Sequence, residues 1–175
     1  MKTALDRQRI LALFDALNAD LARNGVKGEI YLLGGAVMCL VRQARPTTQN
    51  IDAMLRPSRE LHQAAQRVAN SEDLSDNWLN DAAKGFMSDV NDFVPYLELT
   101  HLIILTASPE YLLVMKCLAL RLGAEFHDQD DVRFLLRYLN ITRYETALEV
   151  IQRFYPLQRF PQKTLYALQE LLPQD

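Results

Sequence analysis

Apolar residues at Leu5, Leu13, Phe14, Leu17 and Leu21 recur every three or four positions, and Gly25 follows them. That spacing predicts an amphipathic helix over 4–24. The next apolar run, "EIYLL" at 29–33, has no helical period and reads as a buried strand broken by Gly34-Gly35. "AVMCLVRQ" then predicts a short helix ended by Pro46, and "NIDAML", which starts at Asn50, alternates side chains as a strand does. Strand, glycine turn, helix and strand thus succeed one another within about thirty residues.

Pro57 can open the next helix, to about Asn70, because a first-turn proline lacks only an N–H that would be unpaired anyway. A polar stretch leads to "WLNDAAKGFMSD" (78–89), which predicts one or two helical turns and a loop, and "YLELTHLIILT" (96–106) holds one or two strands. Ser108-Pro109-Glu110 combines a capping hydroxyl, a first-position proline and an early acid, so a helix should run from there to Gly123. Asp128 caps another to about Asn140. Helical stretches at 143–154 and 163–172 come next, separated by Pro156 and Pro161. The class expected is α+β: a small sheet flanked by helices over 1–107, with a helical region over 108–175 packed on it as one structural unit.

Composition narrows this picture only slightly. At 175 residues, 49% hydrophobic and 23% charged, the chain has enough apolar side chains for a sizeable core. No stretch approaches the eighteen or so apolar residues of a membrane span, so a cytoplasmic protein is expected. Cys39 and Cys117 lie among apolar neighbours and read as buried free thiols. The net charge of −3 gives no general attraction to nucleic acid, and no sequence-specific DNA binding is expected. Charge is nevertheless uneven: five arginines (42, 45, 56, 59, 67) face two acids between 42 and 67, whereas 72–98 holds seven acids and one lysine. The first segment suits either a phosphate-facing patch or an ordinary solvated surface.

Three groups of residues carry candidate chemistry. After a strand, Gly34 and Gly35 let the backbone approach a phosphate, and Asn50 and Asp52, two apart on the following strand, point to one face. Such a pair can hold a divalent cation against a triphosphate; alternatively Asn50 turns the loop and Asp52 is a surface acid. In "YLLVMKCLALRLG" only Lys116 and Arg121 interrupt the apolar residues from 111 to 122, so Lys116 enters a polar cavity, meets an acid or snorkels to water. In "FHDQDDVRFLL", Asp128 and Asp131 are helix neighbours that can also serve simply as caps. The histidines (62, 101, 127) are scattered, no Ser-His-Asp arrangement is visible, and Gly34-Gly35 is not followed by the Gly-Lys-Ser/Thr of a Walker loop.

Taken together, Gly34-Gly35, "RPTTQNID", "KCLALR" and "HDQDD" resemble the polymerase-beta superfamily of nucleotidyltransferases. Within it the chain is most similar to the small bacterial AbiEii-like and minimal nucleotidyltransferase group, over roughly residues 28–140. The resemblance implies a nucleotidyltransferase-like mixed sheet, a triphosphate held by Gly34, Gly35, Arg45 and Thr48, and Asp52 as the second metal-binding acid. It matches Lys116 to a lysine that meets nucleotide phosphates, Arg121 to the arginine after it, and Asp128 and Asp131 to a pair of acids downstream. "WLND" recurs in such relatives without an assigned role. Asn50 stands where the family has its first aspartate, and His127 where arginine is usual. A third carboxylate would be Glu98, Asp89 or Asp92.

The activity implied by the resemblance is a Mg²⁺- or Mn²⁺-dependent transfer of a nucleoside monophosphate from an NTP to an RNA, protein or small-molecule acceptor. The setting it favours is a toxin with a cognate antitoxin. The amide of Asn50 supports the alternative, a binding or regulatory module with impaired catalysis.

Overall fold

The computed structural model describes residues 4–120 and 128–173, apart from the side chains of Ala83 and Phe86. It is a mixed α+β protein with seven α-helices and a small mixed sheet among the described residues. None of those helices is long and apolar enough to cross a membrane. The chain divides into two compact units, Met1–Gly85 with Phe93–Ala107, and Phe86–Asp92 with Ser108–Asp175.

The first unit contains β1 (Leu5–Asp6), α1 (Arg7–Arg23), β2 (Gly28–Leu33), α2 (Gly34–Leu40), β3 (Thr47–Thr48), β4 (Ile51–Arg56), α3 (Ser58–Glu72), β5 (Leu79–Asn80), β6 (Phe93–Glu98) and β7 (Leu102–Ala107). Five strands form a sheet in the order β5-β4-β2-β7-β6, with β2 antiparallel to β4 and parallel to β7. Alternation along these strands separates two faces. Ile30, Leu32, Ile51, Ala53, Leu55, Leu102 and Ile104 are buried on the side where α1 and α3 pack. Asp52, Met54, Tyr31, Ile103 and Leu105 lie half-buried on the other. Between α1 and α3, Asp20 accepts from Arg67 through both carboxylate oxygens, at 2.7–3.1 Å.

Several boundaries differ from the sequence reading for local reasons. The first helix begins at Arg7 rather than residue 4, because Leu5–Asp6 pairs with Thr47–Thr48 and Asp6 caps α1 by accepting from Arg9 N–H at 2.8 Å. Helix α2 takes in the two glycines and ends at Leu40. Its last turn closes when Ala44 N–H reaches the Met38 carbonyl, and Gln43 adopts φ +51°, so the chain turns away before Pro46. The segment read as turns and a loop at 78–89 begins with a strand: β5 pairs parallel with β4, Leu79 opposite Ile51 and Asn80 opposite Asp52. Trp78 anchors it, buried and donating from Nε1 to the Ala65 carbonyl at 2.9 Å. "YLELTHLIILT" resolves into the antiparallel pair β6 and β7.

The second unit is helical, with α4 (Pro109–Leu118), α5 (Asp128–Tyr138), α6 (Tyr144–Gln152) and α7 (Gln162–Leu171). Ser108 caps α4 by accepting from Tyr111 N–H at 3.2 Å, as its position before Pro109 requires. Helix α4 ends at Leu118 rather than continuing to Gly123, which lies outside the described residues. It is buried on most of its circumference and packs against α5, α6 and α7. The Tyr111 and Phe154 rings meet with centroids 5.0 Å apart. Residues 86–92 belong here: Ser88 N–H donates to the Tyr111 hydroxyl, and Ser108 N–H to the Asp92 carbonyl.

Both cysteines are buried free thiols. Burial pushes the Cys117 thiol up to about 12, and burial also raises Cys39, outweighing the opposing charge of Arg45. Neither supplies thiolate near neutral pH. The native protein should therefore leave both thiols unreacted with Ellman's reagent at pH 8, and both should react in guanidinium. Rapid labelling of the native chain would contradict this burial.

Candidate functional site

The register of β2 and β4 places Asp52 opposite Leu33, the residue that leads directly into Gly34. Gly34 has φ +60°, a left-handed conformation that glycine adopts without strain. A Cβ added there would stand 3.1 Å from Asp52 Oδ2, so the carboxylate lies against the glycine turn. Gly35 is covered from another direction. A Cβ on it would meet Arg45 Nη1 at 2.9 Å and Thr48 Oγ1 at 3.0 Å. Gly34, Gly35, Arg45, Thr48 and Asp52 therefore meet at one end of the sheet, and they do so because neither glycine carries a side chain.

Asn50 belongs to this group through its backbone. Expected on the strand beside Asp52, it lies instead in a bend just before Ile51, where Thr48 Oγ1 donates to its carbonyl at 3.1 Å. The two-residue alternation that would put its amide on the same face as Asp52 begins only at Ile51. Asn80 comes beside Asp52 as its β5 partner, with its own Oδ1 accepting from Ala82 N–H at 3.3 Å. Sequence reasoning missed Asn80, although "WLND" was the signal available. Among the described residues, no three His, Cys, Asp or Glu side chains gather into a metal-binding group. Asp52 can still give one carboxylate to a Mg²⁺ ion that arrives on a triphosphate, because Mg²⁺ takes one or two protein carboxylates and fills its shell with phosphate oxygens and water.

The sheet face that carries Asp52 continues into Met54 and Tyr31, which are register partners. The Tyr31 hydroxyl donates to Glu29, Arg56 lies 5.1 Å over the ring, and Phe93 meets it edge-on at 5.2 Å. Glu98 ends β6 opposite Ile103, itself opposite Glu29. That is four residues from Leu33 along β2, about 13 Å from the glycine turn. Glu98 is thus badly placed to act as a further carboxylate beside Asp52. Asp89 and Asp92 fall in the second unit.

Lys116, Asp128 and Asp131 also belong to the second unit. Lys116 Nζ lies 2.7 Å from Asp131 Oδ2, and the two side chains are only 10% and 5% exposed. Of the fates open to this lysine from sequence, meeting an acid is the one the structure shows. Asp131 is accordingly an ion-pair partner that joins α4 to α5, and Asp128 is buried in the same first turn of α5. Arg121 and His127 lie outside the described residues.

Comparison with protein-family models, with curated proteins and with solved structures found no match.

Proposed function

We propose that the first unit is a nucleotidyltransferase-type site that binds an NTP with its divalent cation and transfers the nucleoside monophosphate to an acceptor. One observation carries the reading: the Asp52 carboxylate closes on the left-handed Gly34 turn, 3.1 Å from where a Cβ would be, with Arg45 and Thr48 over Gly35. Gly34 and Gly35 would leave room for phosphate oxygens against the backbone, and Arg45 would offer guanidinium donors that suit phosphate. Asp52 would orient the metal-bound phosphates, and the ion when bound neutralises their charge. Lys116, Asp128 and Asp131 carry no step in this proposal.

A second reading, nucleotide binding without transfer, is favoured by Asn50, an uncharged residue whose carbonyl is held in the bend by Thr48. The chain incubated with Mg²⁺ or Mn²⁺, each labelled NTP and total RNA or protein separates the two. Under the first reading label is transferred, and Asp52→Asn lowers the rate about a hundredfold or more. If the wild-type chain binds NTP without transfer while Asn50→Asp transfers label, the second reading holds. Failure of both the wild-type chain and Asn50→Asp to bind any NTP would sink both.

A further inference from the structure

A cleft of about 390 Å³ opens in the first unit between the start of α1, the end of α2 and the loop leading to β3, lined by Arg7, Cys39, Gln43, Ala44, Arg45 and Pro46. Two guanidinium groups border it. Arg7 is fixed by donating from Nε to the carbonyl of Leu40, the last residue of α2, at 3.3 Å. That bond places a cation at the negative end of the helix and leaves the terminal nitrogens of Arg7 outside it. Arg45 reaches in from the loop, its Nη1 lying over Gly35. Cys39, one turn beyond Gly35 on α2, forms an apolar wall, its thiol donating to the Pro46 carbonyl at 3.4 Å. Gln43 enters from the left-handed residue that ends α2. The acid nearest in sequence, Asp6, spends its carboxylate on the cap of α1.

Two like charges around one concave space are stabilised by an anion that offers oxygens to both, and guanidinium forks suit phosphate best. We infer that this cleft is an oligophosphate-binding site, with Arg7 and Arg45 sharing a pyrophosphate or triphosphate group. Arg45 alone is common to the cleft and the Gly34 turn. The cleft therefore deepens the nucleotide reading if the oligophosphate is the nucleotide's own tail, and stands without it if the oligophosphate is a separate ligand.

The probe is inorganic tripolyphosphate in EDTA, where Asp52 has no metal to hold, measured by calorimetry on the full chain. Wild-type protein should bind, and Arg7→Gln, which keeps a donor for the Leu40 carbonyl but loses the charge, should bind about tenfold more weakly or worse. Gln43→Glu, an exposed change that adds a negative charge to the cleft, should weaken binding similarly while leaving the fold intact by circular dichroism. Mg²⁺–ATP titrations then identify the source: a matching loss in Arg7→Gln assigns the site to the nucleotide's tail, and an unchanged affinity assigns it to a separate oligophosphate. Absence of tripolyphosphate binding, or binding that neither substitution weakens, overturns the inference. The nucleotide reading fails separately, through Mg²⁺–NTP binding that does not depend on Asp52.

Discussion

Asp131→Ala is expected to lower the stability of the chain by about 3–5 kcal/mol, because it leaves the Lys116 ammonium buried without its counter-ion. Nζ and Oδ2 are 2.7 Å apart with the two side chains almost out of water, and neither group can recover hydration when its partner goes. Against a typical total of about 5–15 kcal/mol, that loss is a large fraction. Lys116→Met should cost much less than Asp131→Ala if α5 can turn Asp131 toward solvent, and a similar amount if it cannot. The double replacement Lys116→Met with Asp131→Leu should recover most of the loss, since two apolar groups need no mutual charge. Urea midpoints for the two single variants and the double variant give the coupling directly. Additive losses below about 1 kcal/mol each would show that this contact behaves as an exposed ion pair.

Gly34→Ala should produce the second largest effect, and on two separate readouts. The left-handed backbone costs a side chain about 1–2 kcal/mol, which for a chain of this size lowers Tm by roughly 2–8 °C. The new methyl would also press on Asp52 Oδ2 at 3.1 Å, so the carboxylate must move and Mg²⁺–NTP affinity should fall about tenfold. Gly35→Ala makes an informative companion. Its backbone is not left-handed, and the atom it meets first is the flexible end of Arg45, so Tm should stay close to wild type. Equal Tm values for Gly34→Ala and wild type would remove the argument from backbone conformation, whatever the nucleotide result.

Long periodic segments were legible from sequence because one residue's environment repeats along them. The apolar spacing of α1, the alternation of β4 and the Ser108-Pro109 start of α4 each state their own structure. The two-residue strands β1, β3 and β5 were not legible, since two residues have no period and their pairing depends on partners up to 43 positions away. Asn80 beside Asp52 and Arg7 beside Arg45 stayed hidden for the same reason: tertiary proximity made those neighbours, and no local spacing records it. Lys116 and Asp131 were both visible as unusual residues, yet as two unrelated signals. Their union needed the packing of α4 on α5.

The ribbon of β1 and β3 makes the glycine turn mechanically dependent on the beginning of the chain. Thr48 pairs with Leu5, donates its hydroxyl to the Asn50 carbonyl and stands over Gly35. A ribbon of two residues per strand is among the least costly pieces of a fold to open. Its opening would release in one event the wall of Gly35 and the bend that leads to Asp52. The segment 4–6 therefore works as a latch on the site, and a ligand that fastens Arg7 at the start of α1 would hold that latch shut.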